Sequence, residues 1–163
     1  MLKDALATAG NVRVRTWGDV VSIELMRGAK KVFSFQIAQR TAQLQPSSPA
    51  PWTNVLLDSF ADLLASKMVA LVERGAPRDF RDVYTVCLGG LATPAECWRL
   101  WRERQRSAAS DTDARRARLA VETHLARIVQ HRPLDKIADR EERARAEQAR
   151  RWYETELLDA LVD

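Results

Sequence analysis

The chain has 163 residues, of which 46% are hydrophobic and 29% charged, a composition typical of one folded domain, alone or with a helical extension. No apolar run approaches the ~18 residues of a membrane-spanning helix, and the N-terminus lacks the apolar core of a signal peptide. We therefore predict a cytoplasmic protein with no membrane partner. Cys87 and Cys97 fit no metal-binding spacing, so we expect reduced, partly buried thiols.

The N-terminal part predicts two or three antiparallel strands. Its segments alternate in polarity or are rich in β-branched and aromatic residues, and they cover 11–17, 19–27 and 31–38. Gly18 and the Gly28–Lys30 segment provide the turns between them.

The character of the sequence changes near residue 58. An irregular, proline-rich connection at 45–51 and a short extended run at 53–57 lead to Asp58 or Ser59, either of which can cap a helix. All later elements are predicted to be helical. We therefore expect an α+β protein, with a small antiparallel sheet in residues 1–57 followed by a helical bundle in residues 58–163.

The first predicted helix, residues 59–74, carries a lysine in its apolar stripe. That stripe consists of Phe60, Leu63, Leu64, Leu71 and Val72. Lys67 falls near its centre, and an unpaired buried ammonium costs roughly several kcal/mol. We therefore expect Lys67 to reach solvent, to pair with a nearby carboxylate or to lose its proton.

The next predicted helix offers those carboxylates. Gly75 suits the end of one helix and Pro77 the first turn of another. Asp79 then lies at the edge of the second apolar stripe, and Asp82 lies one turn further along and away from it. The charged residues gathered here indicate either a binding site or an ordinary helical hairpin with solvated or ion-paired charges.

Three more helices are predicted. A capping threonine and a glutamate three residues later start one that runs from Thr93 to about Arg106. The others cover about 114–130, with apolar positions at Leu119, Val121, Leu125, Ile128 and Val129, and about 134–161. Trp152 and the terminal leucines either dock a partner or fold back on the core. His124 and His131 are interpreted as surface or structural residues.

The positive charge is concentrated in residues 98–118. This segment has seven arginines and three acidic residues, a surplus that equals the net charge of +4. Arginines interleaved with tryptophans can contact phosphates and stack on bases. Candidate nucleic-acid contacts are Arg99, Trp101, Arg102 and Arg106, and the alternative is a solvated helix face.

Residues 63–84, LLASKMVALVERGAPRDFRDVY, closely resemble the late motif of the AbiEii-like nucleotidyltransferase toxins of bacterial abortive-infection and toxin–antitoxin systems. In that family a hydrophobic helix carries a lysine in an AxKxxAL context, and an RDxxDxY segment follows a short turn. The matching residues here are Ala65, Lys67, Ala70, Leu71, Arg74, Arg78, Asp79, Asp82 and Tyr84. The resemblance covers about residues 11–90.

This resemblance implies transfer of nucleotides to an acceptor, tRNA in well-known cases, with carboxylate-bound Mg²⁺ and a nucleoside triphosphate if the chain is active. Lys67 would be the catalytic cation facing the phosphates, and Asp82 the late acidic residue with Asp79 as its neighbour. Arg74 and Arg78 would hold those carboxylates or meet triphosphate oxygens. A cognate antitoxin and tRNA are the implied partners.

The chain departs from the family pattern in its N-terminal part. Nucleotidyltransferases of this kind begin with a GS or GG turn and an acidic pair, and neither is found here. Asp19 directly follows Gly18 and is not assigned as a ligand, and Gln36 stands where a third carboxylate is expected. An amide does not supply the charge that Mg²⁺ prefers, so we assign no metal ligand.

Three possibilities remain open, and independent activity is not expected under any of them. In the first, the chain is a degenerate family member that binds a nucleotide, RNA or a partner without catalysis. In the second, it is a remnant whose missing half comes from another chain or from an upstream start. In the third, the chain shares only the architecture of the family. The alternative function is a non-enzymatic helical module that binds RNA or protein, in which Lys67, Asp79 and Asp82 form a residual ion-pair network. A half-fold would also leave a sheet edge and apolar surface for a second copy to cover.

Overall fold

The computed structural model describes residues 4, 7–18, 20–38 and 42–161. The chain divides into two compact units, Met1–Thr41 and Ala42–Asp163. A small antiparallel sheet precedes five α-helices, so the predicted α+β class is confirmed. None of the helices in the described part of the chain is long and apolar enough to cross a membrane.

The sheet of the first unit is a three-stranded antiparallel meander. Its strands pair in the order β1-β2-β3 and span Asn11–Trp17, Val20–Arg27 and Lys30–Ala38. Gly18 and Gly28 form the turns with φ of +51° and +60°, a region that glycine adopts without steric cost. The register places Ile23 of β2 between Val14 and Phe35. The three predicted strands are confirmed, and Asp19 lies outside the described residues.

The two faces of this sheet differ in polarity because side chains alternate along each strand. On one face, buried Ile23 and Leu25 are flanked by exposed apolar residues, which are Val14, Phe33, Phe35 and Ile37. On the other face, Glu24 is nearly buried and pairs with Arg13, Arg15 and Lys31 at 2.7, 3.6 and 3.5 Å. The hydrogen bond from Arg13 lowers the pKa of Glu24, against the opposing effect of desolvation.

The second unit begins with a short two-stranded ribbon and continues with the helices. The ribbon pairs β4, Ser48–Pro49, with β5, Leu56–Leu57. The helices are α1 (Phe60–Glu73), α2 (Pro77–Leu88), α3 (Pro94–Ser107), α4 (Ala114–His131) and α5 (Arg140–Trp152). Their core contains Met68, Leu71, Val83, Trp98, Trp101, Val121, Tyr153 and Leu157.

Local capping sets most of the helix starts. Ser59 accepts from the Asp62 backbone N–H, and Thr93 with Glu96 forms a reciprocal capping box, as predicted. The single helix predicted over about 134–161 is wrong. Asp139 caps a new helix there, after a 3₁₀ turn at Leu134–Lys136, and α5 runs into a π-helical turn at Tyr153–Leu157.

The C-terminal segment folds back on the core, one of the two outcomes left open by its sequence. Leu157, Leu158 and Leu161 are buried, and the Trp98 indole N–H donates to the Leu157 carbonyl at 2.7 Å. Trp152 packs edge-to-face on Tyr84 with ring centroids 5.3 Å apart. This contact joins α5 to α2.

The predicted apolar stripe of α1 is only partly correct. Phe60 and Leu63 are 48% and 53% exposed, whereas the buried face carries Asp62, Leu64, Ala65, Met68 and Leu71. Both sets satisfy helical spacing, and the orientation follows from the packing of α1 against α2 and α3. In α4, likewise, Leu119 and Val129 are exposed while Ala117, Val121 and Leu125 are buried.

Candidate functional site

A glycine turn joins α1 to α2 and packs against His124 of α4. Gly75 has φ of +52°, and its backbone N–H donates to the Ala70 carbonyl at 3.1 Å. A Cβ at position 75 would lie 2.2 Å from Cγ of His124, whose Nε2 is 3.2 Å from the Val72 carbonyl oxygen. The turn therefore strongly favours glycine, and His124 has a structural role in packing over it.

Lys67 on α1 meets Asp82 on α2 across the hairpin. Its Nζ donates to Asp82 Oδ2 at 2.6 Å, and the two side chains are 44% and 34% exposed. The expectation that Lys67 lies near the centre of the buried face is wrong, because α1 is rotated so that residue 67 lies at the edge of that face and is partly exposed. The ammonium is thus held in place by a carboxylate and remains in contact with solvent.

Asp79 has a very different environment. It is fully buried, and the Arg74 guanidinium donates a hydrogen bond to each of its oxygens, from Nε to Oδ2 at 2.9 Å and from Nη2 to Oδ1 at 3.0 Å. The Arg78 Nε is 4.0 Å from Oδ1. The hydrogen bonds from Arg74 lower the pKa of Asp79 despite desolvation, and the charges of Lys67 and Arg78 act in the same direction. The same hydrogen bonds raise the pKa of Arg74.

The carboxylates of this hairpin do not by themselves fit a resident Mg²⁺. Within the described ranges no group of three or more His, Cys, Asp or Glu residues could hold a metal ion. Asp79 is engaged by Arg74 and Asp82 by Lys67, whereas Mg²⁺ requires near-octahedral oxygen ligands. Gln36, which stands where the family pattern has a third carboxylate, lies on β3 opposite Ser22.

The candidate nucleic-acid residues on α3 have different environments. Trp101 is buried and packs edge-to-face on Trp98 at 5.6 Å, so the prediction that it stacks on bases is wrong. The Arg99 Nη1 pairs with Glu103 Oε1 at 2.7 Å. Arg102 and Arg106 line a shallow hollow beside the start of α4.

A buried carboxylate at the start of α1 was not predicted from the sequence. Asp62 is fully buried and accepts from the backbone N–H groups of Leu44 and Gln45 at 2.8 and 3.0 Å and from Ser59 Oγ at 2.7 Å. The Arg104 Nη1 lies 3.3 Å away. The Ser59-x-x-Asp62 spacing resembles a capping box and is the signal that could have revealed it.

The hairpin carries a lysine on one helix and RDxxD on the next, the pattern that resembles the late motif of nucleotidyltransferase toxins. The profile of the nucleotidyl transferase AbiEii toxin family, from type IV toxin–antitoxin systems, matches residues 16–161, and the chain belongs to this family. The resemblance predicted from residues 63–84 is confirmed, and the match extends through the later helices. Comparison with curated proteins and with solved structures gives no match.

Proposed function

We propose that the helical unit supplies the phosphate-facing side of a nucleotidyl-transfer site, with Lys67 as the cation that meets the nucleotide phosphates. The observation that carries this proposal is the Lys67–Asp82 contact of 2.6 Å between partly exposed groups. Asp82 orients the ammonium, and its own solvent exposure leaves it able to meet a ligand. Positioned charge is the main contribution that a protein makes to phosphoryl-type transfer.

Asp79, Arg74 and Arg78 take supporting roles in this proposal. Asp79 is sealed from solvent, so it acts as a positioning residue that fixes Arg74 at the end of α1. Arg78 is 61% exposed and begins the RDxxD segment, where it is available for phosphate oxygens. The pair of half-exposed Arg74 and buried Asp79 thereby ties the end of α1 to the start of α2 in the hairpin that carries Lys67 and Asp82.

We further propose that the chain binds a nucleoside triphosphate but does not transfer it alone. Two-metal transfer requires several carboxylates that hold Mg²⁺. Of the two RDxxD carboxylates, Asp79 is buried and held by Arg74, and only Asp82, which is paired with Lys67, reaches solvent. Catalysis would then require ligands from another chain or segment. A chain with its own activity would contradict this part of the proposal alone.

The test measures binding and transfer separately. Each of the four α-³²P-labelled ribonucleoside triphosphates is incubated with Mg²⁺, with and without total tRNA, and bound label and transferred label are counted. We expect the wild-type chain to retain nucleotide and to transfer none. Lys67→Ala should weaken retention about tenfold, since it removes a charge-assisted contact. Lys136→Ala, at an exposed lysine of the same unit, is the matched control.

The outcomes separate the two parts of the proposal. Equal retention by wild type and Lys67→Ala would overturn the site assignment. Transfer by the wild type that is lost in Lys67→Ala would keep the site and overturn the dependence on other ligands. Circular dichroism of both variants checks that they are folded.

The alternative function, a non-enzymatic RNA-binding module, is favoured by the exposed Arg99 and Arg106 on α3. Trp101 takes no part in it because its ring is buried. Binding would then rest on phosphate contacts, with a steep salt dependence. A loss of RNA affinity in Arg106→Ala, together with indifference to Lys67→Ala, would favour this alternative.

We also propose cytoplasmic partners that follow from the family. Its type IV toxin–antitoxin systems make a cognate antitoxin the first candidate. The exposed apolar residues of the sheet, such as Phe33 and Phe35, offer a surface that a second copy could cover. Co-expression with the neighbouring gene product and sedimentation of the isolated chain test these two partners.

A further inference from the structure

A groove of about 370 Å³ runs between α2, α4 and α5, on a face of α2 that carries neither Asp79 nor Asp82. Lys67 does not line it either. Its volume is near the lower end of the range in which proteins bind small molecules. The groove is therefore a site candidate separate from the Lys67–Asp82 pair.

The floor of the groove is apolar and largely aromatic. It is lined by Phe80, Tyr84, Leu125, Ile128 and Tyr153. Phe80 packs edge-to-face on Tyr153 at 4.7 Å, and the Tyr153 hydroxyl donates to the Phe80 carbonyl at 2.6 Å. Phe80 and Tyr153 are only 6% and 1% exposed, so they support the floor from below. The half-buried ring of Tyr84 is the aromatic surface that a flat ligand can contact.

The rim of the groove is strongly cationic. Five arginines line it, namely Arg78, Arg81, Arg132, Arg145 and Arg150, against the single acidic residue Glu142. Glu142 Oε1 is 3.5 Å from Arg132 Nη2, and Arg145 Nη1 is 3.7 Å from Glu141 Oε2, outside the groove. Both acids are exposed, so these contacts are weak. The rim keeps a net positive charge suited to an anionic group.

We propose that this groove binds a nucleoside monophosphate. The apolar floor receives the base, and the arginine rim receives the phosphate, for which guanidinium groups are the best-matched donors. A purely anionic ligand would leave the aromatic floor unused, and an uncharged one would leave the rim uncompensated. This binding goes beyond the proposed transfer function, because the apolar floor and Arg81, Arg132, Arg145 and Arg150 have no part in that function. Arg78 is shared, since it lines the groove and is also proposed to meet phosphate oxygens beside Lys67.

Calorimetric titration of the full chain with AMP, GMP, CMP and UMP, each alone, tests the proposal. We expect saturable binding of at least one nucleotide, weakened by salt. Arg81→Ala on α2 and Arg145→Ala on α5 should each raise its Kd about tenfold. Arg115→Ala, at an exposed arginine of α4 that does not line the groove, should leave the Kd unchanged. All three residues are exposed, so folding is expected to survive.

Three further titrations distinguish binding in this groove from binding at Lys67, from binding of phosphate alone and from binding of RNA. Lys67→Ala should bind the monophosphate as tightly as wild type. Loss of binding in Lys67→Ala with retention in Arg81→Ala would place the ligand at the Lys67–Asp82 pair and overturn the proposal. Inorganic tripolyphosphate bound as tightly as the nucleotide would show that the floor is not used, which also overturns it. Binding of single-stranded RNA without binding of any mononucleotide would overturn it as well.

Discussion

The two ion pairs that join α1 to α2 differ in their surroundings. Arg74–Asp79 lies at the turn, where the carboxylate is fully buried and both of its oxygens are used. Lys67–Asp82 lies further from the turn, where both partners reach solvent. The same RDxxD segment thus supplies one acid that is committed to the fold and one that a ligand can reach. Burial, rather than residue type, separates a structural charge from a candidate binding group.

Asp62 extends this comparison to the start of α1, and its loss should have the largest effect. Asp62→Ala leaves the Leu44 and Gln45 backbone N–H groups and the poorly exposed Arg104 without this acceptor. We expect the free energy of unfolding to fall by about 4 kcal/mol, because breaking a buried charge network leaves uncompensated polar groups. Urea denaturation measures it.

The control for this prediction is Asp135→Ala, at an exposed aspartate in the 3₁₀ turn. We expect it to change the free energy of unfolding by less than about 0.5 kcal/mol. Equal effects of the two substitutions would mean that burial does not decide the role of these acids.

Gly75→Ala should have the next largest effect. An alanine at φ of +52° is strained, and its Cβ would overlap the imidazole of His124. We expect the free energy of unfolding to fall by about 2 to 3 kcal/mol. Gly90→Ala, at φ of +67° with open space around its Cβ, carries the backbone strain without the overlap and should cost less. A larger loss in Gly90→Ala would contradict the role given to His124.

Asp79→Asn should cost somewhat less, and its effect should depend on pH. We expect a loss of about 2 kcal/mol near pH 7, since Arg74 loses a charge-assisted bidentate partner but can turn to water. The pKa of Asp79 is lowered on folding, so its stabilisation is complete above the unfolded pKa of about 3.9. It is lost as the pH falls through the folded pKa.

Urea denaturation of wild type and Asp79→Asn at a series of pH values checks this sign. The two proteins should differ at neutral pH and converge in acid. A difference that grows below pH 4 would contradict a lowered pKa.

Lys67→Ala should have the smallest effect on stability. Both partners are partly exposed to solvent, and pairs near the surface contribute less than about 1 kcal/mol. Asp82→Asn should have an equally small effect on stability. Both variants should nevertheless weaken nucleotide retention. Thermal unfolding of the two variants provides the measurement. A loss of stability as large as that of Asp79→Asn would remove the distinction between the two pairs.

Much of the local structure was predictable from the sequence. Alternation predicted the three strands, and Ser59, Thr93 and Pro77 marked helix starts that the structure has. The lysine and the RDxxD segment also indicated the family from the sequence alone. These signals are readable because capping, turn geometry and strand alternation depend on residues close together in the chain.

Burial was less predictable. Asp79 was expected at the edge of a stripe and is fully buried. Lys67 was expected near the centre of a stripe and lies at the edge of the buried face, although its contact with a carboxylate and with solvent was expected. Trp101 looked available for stacking and lies in the core. Rotating one helix about its axis by a fraction of a turn is enough to produce each of these differences between expected and observed burial. Helical spacing in the sequence does not specify that rotation.

The sequence by itself determined the class, the order of the elements and the pairing of a lysine helix with an RDxxD helix. Only the tertiary structure decided which acid is sealed and which is exposed, because that depends on how α3 and α4 pack over the hairpin. The tertiary structure also forms the arginine-rimmed groove, because the residues that line it come from three helices between Pro77 and Tyr153. Side chains so far apart in the chain share an environment only after the helices have packed.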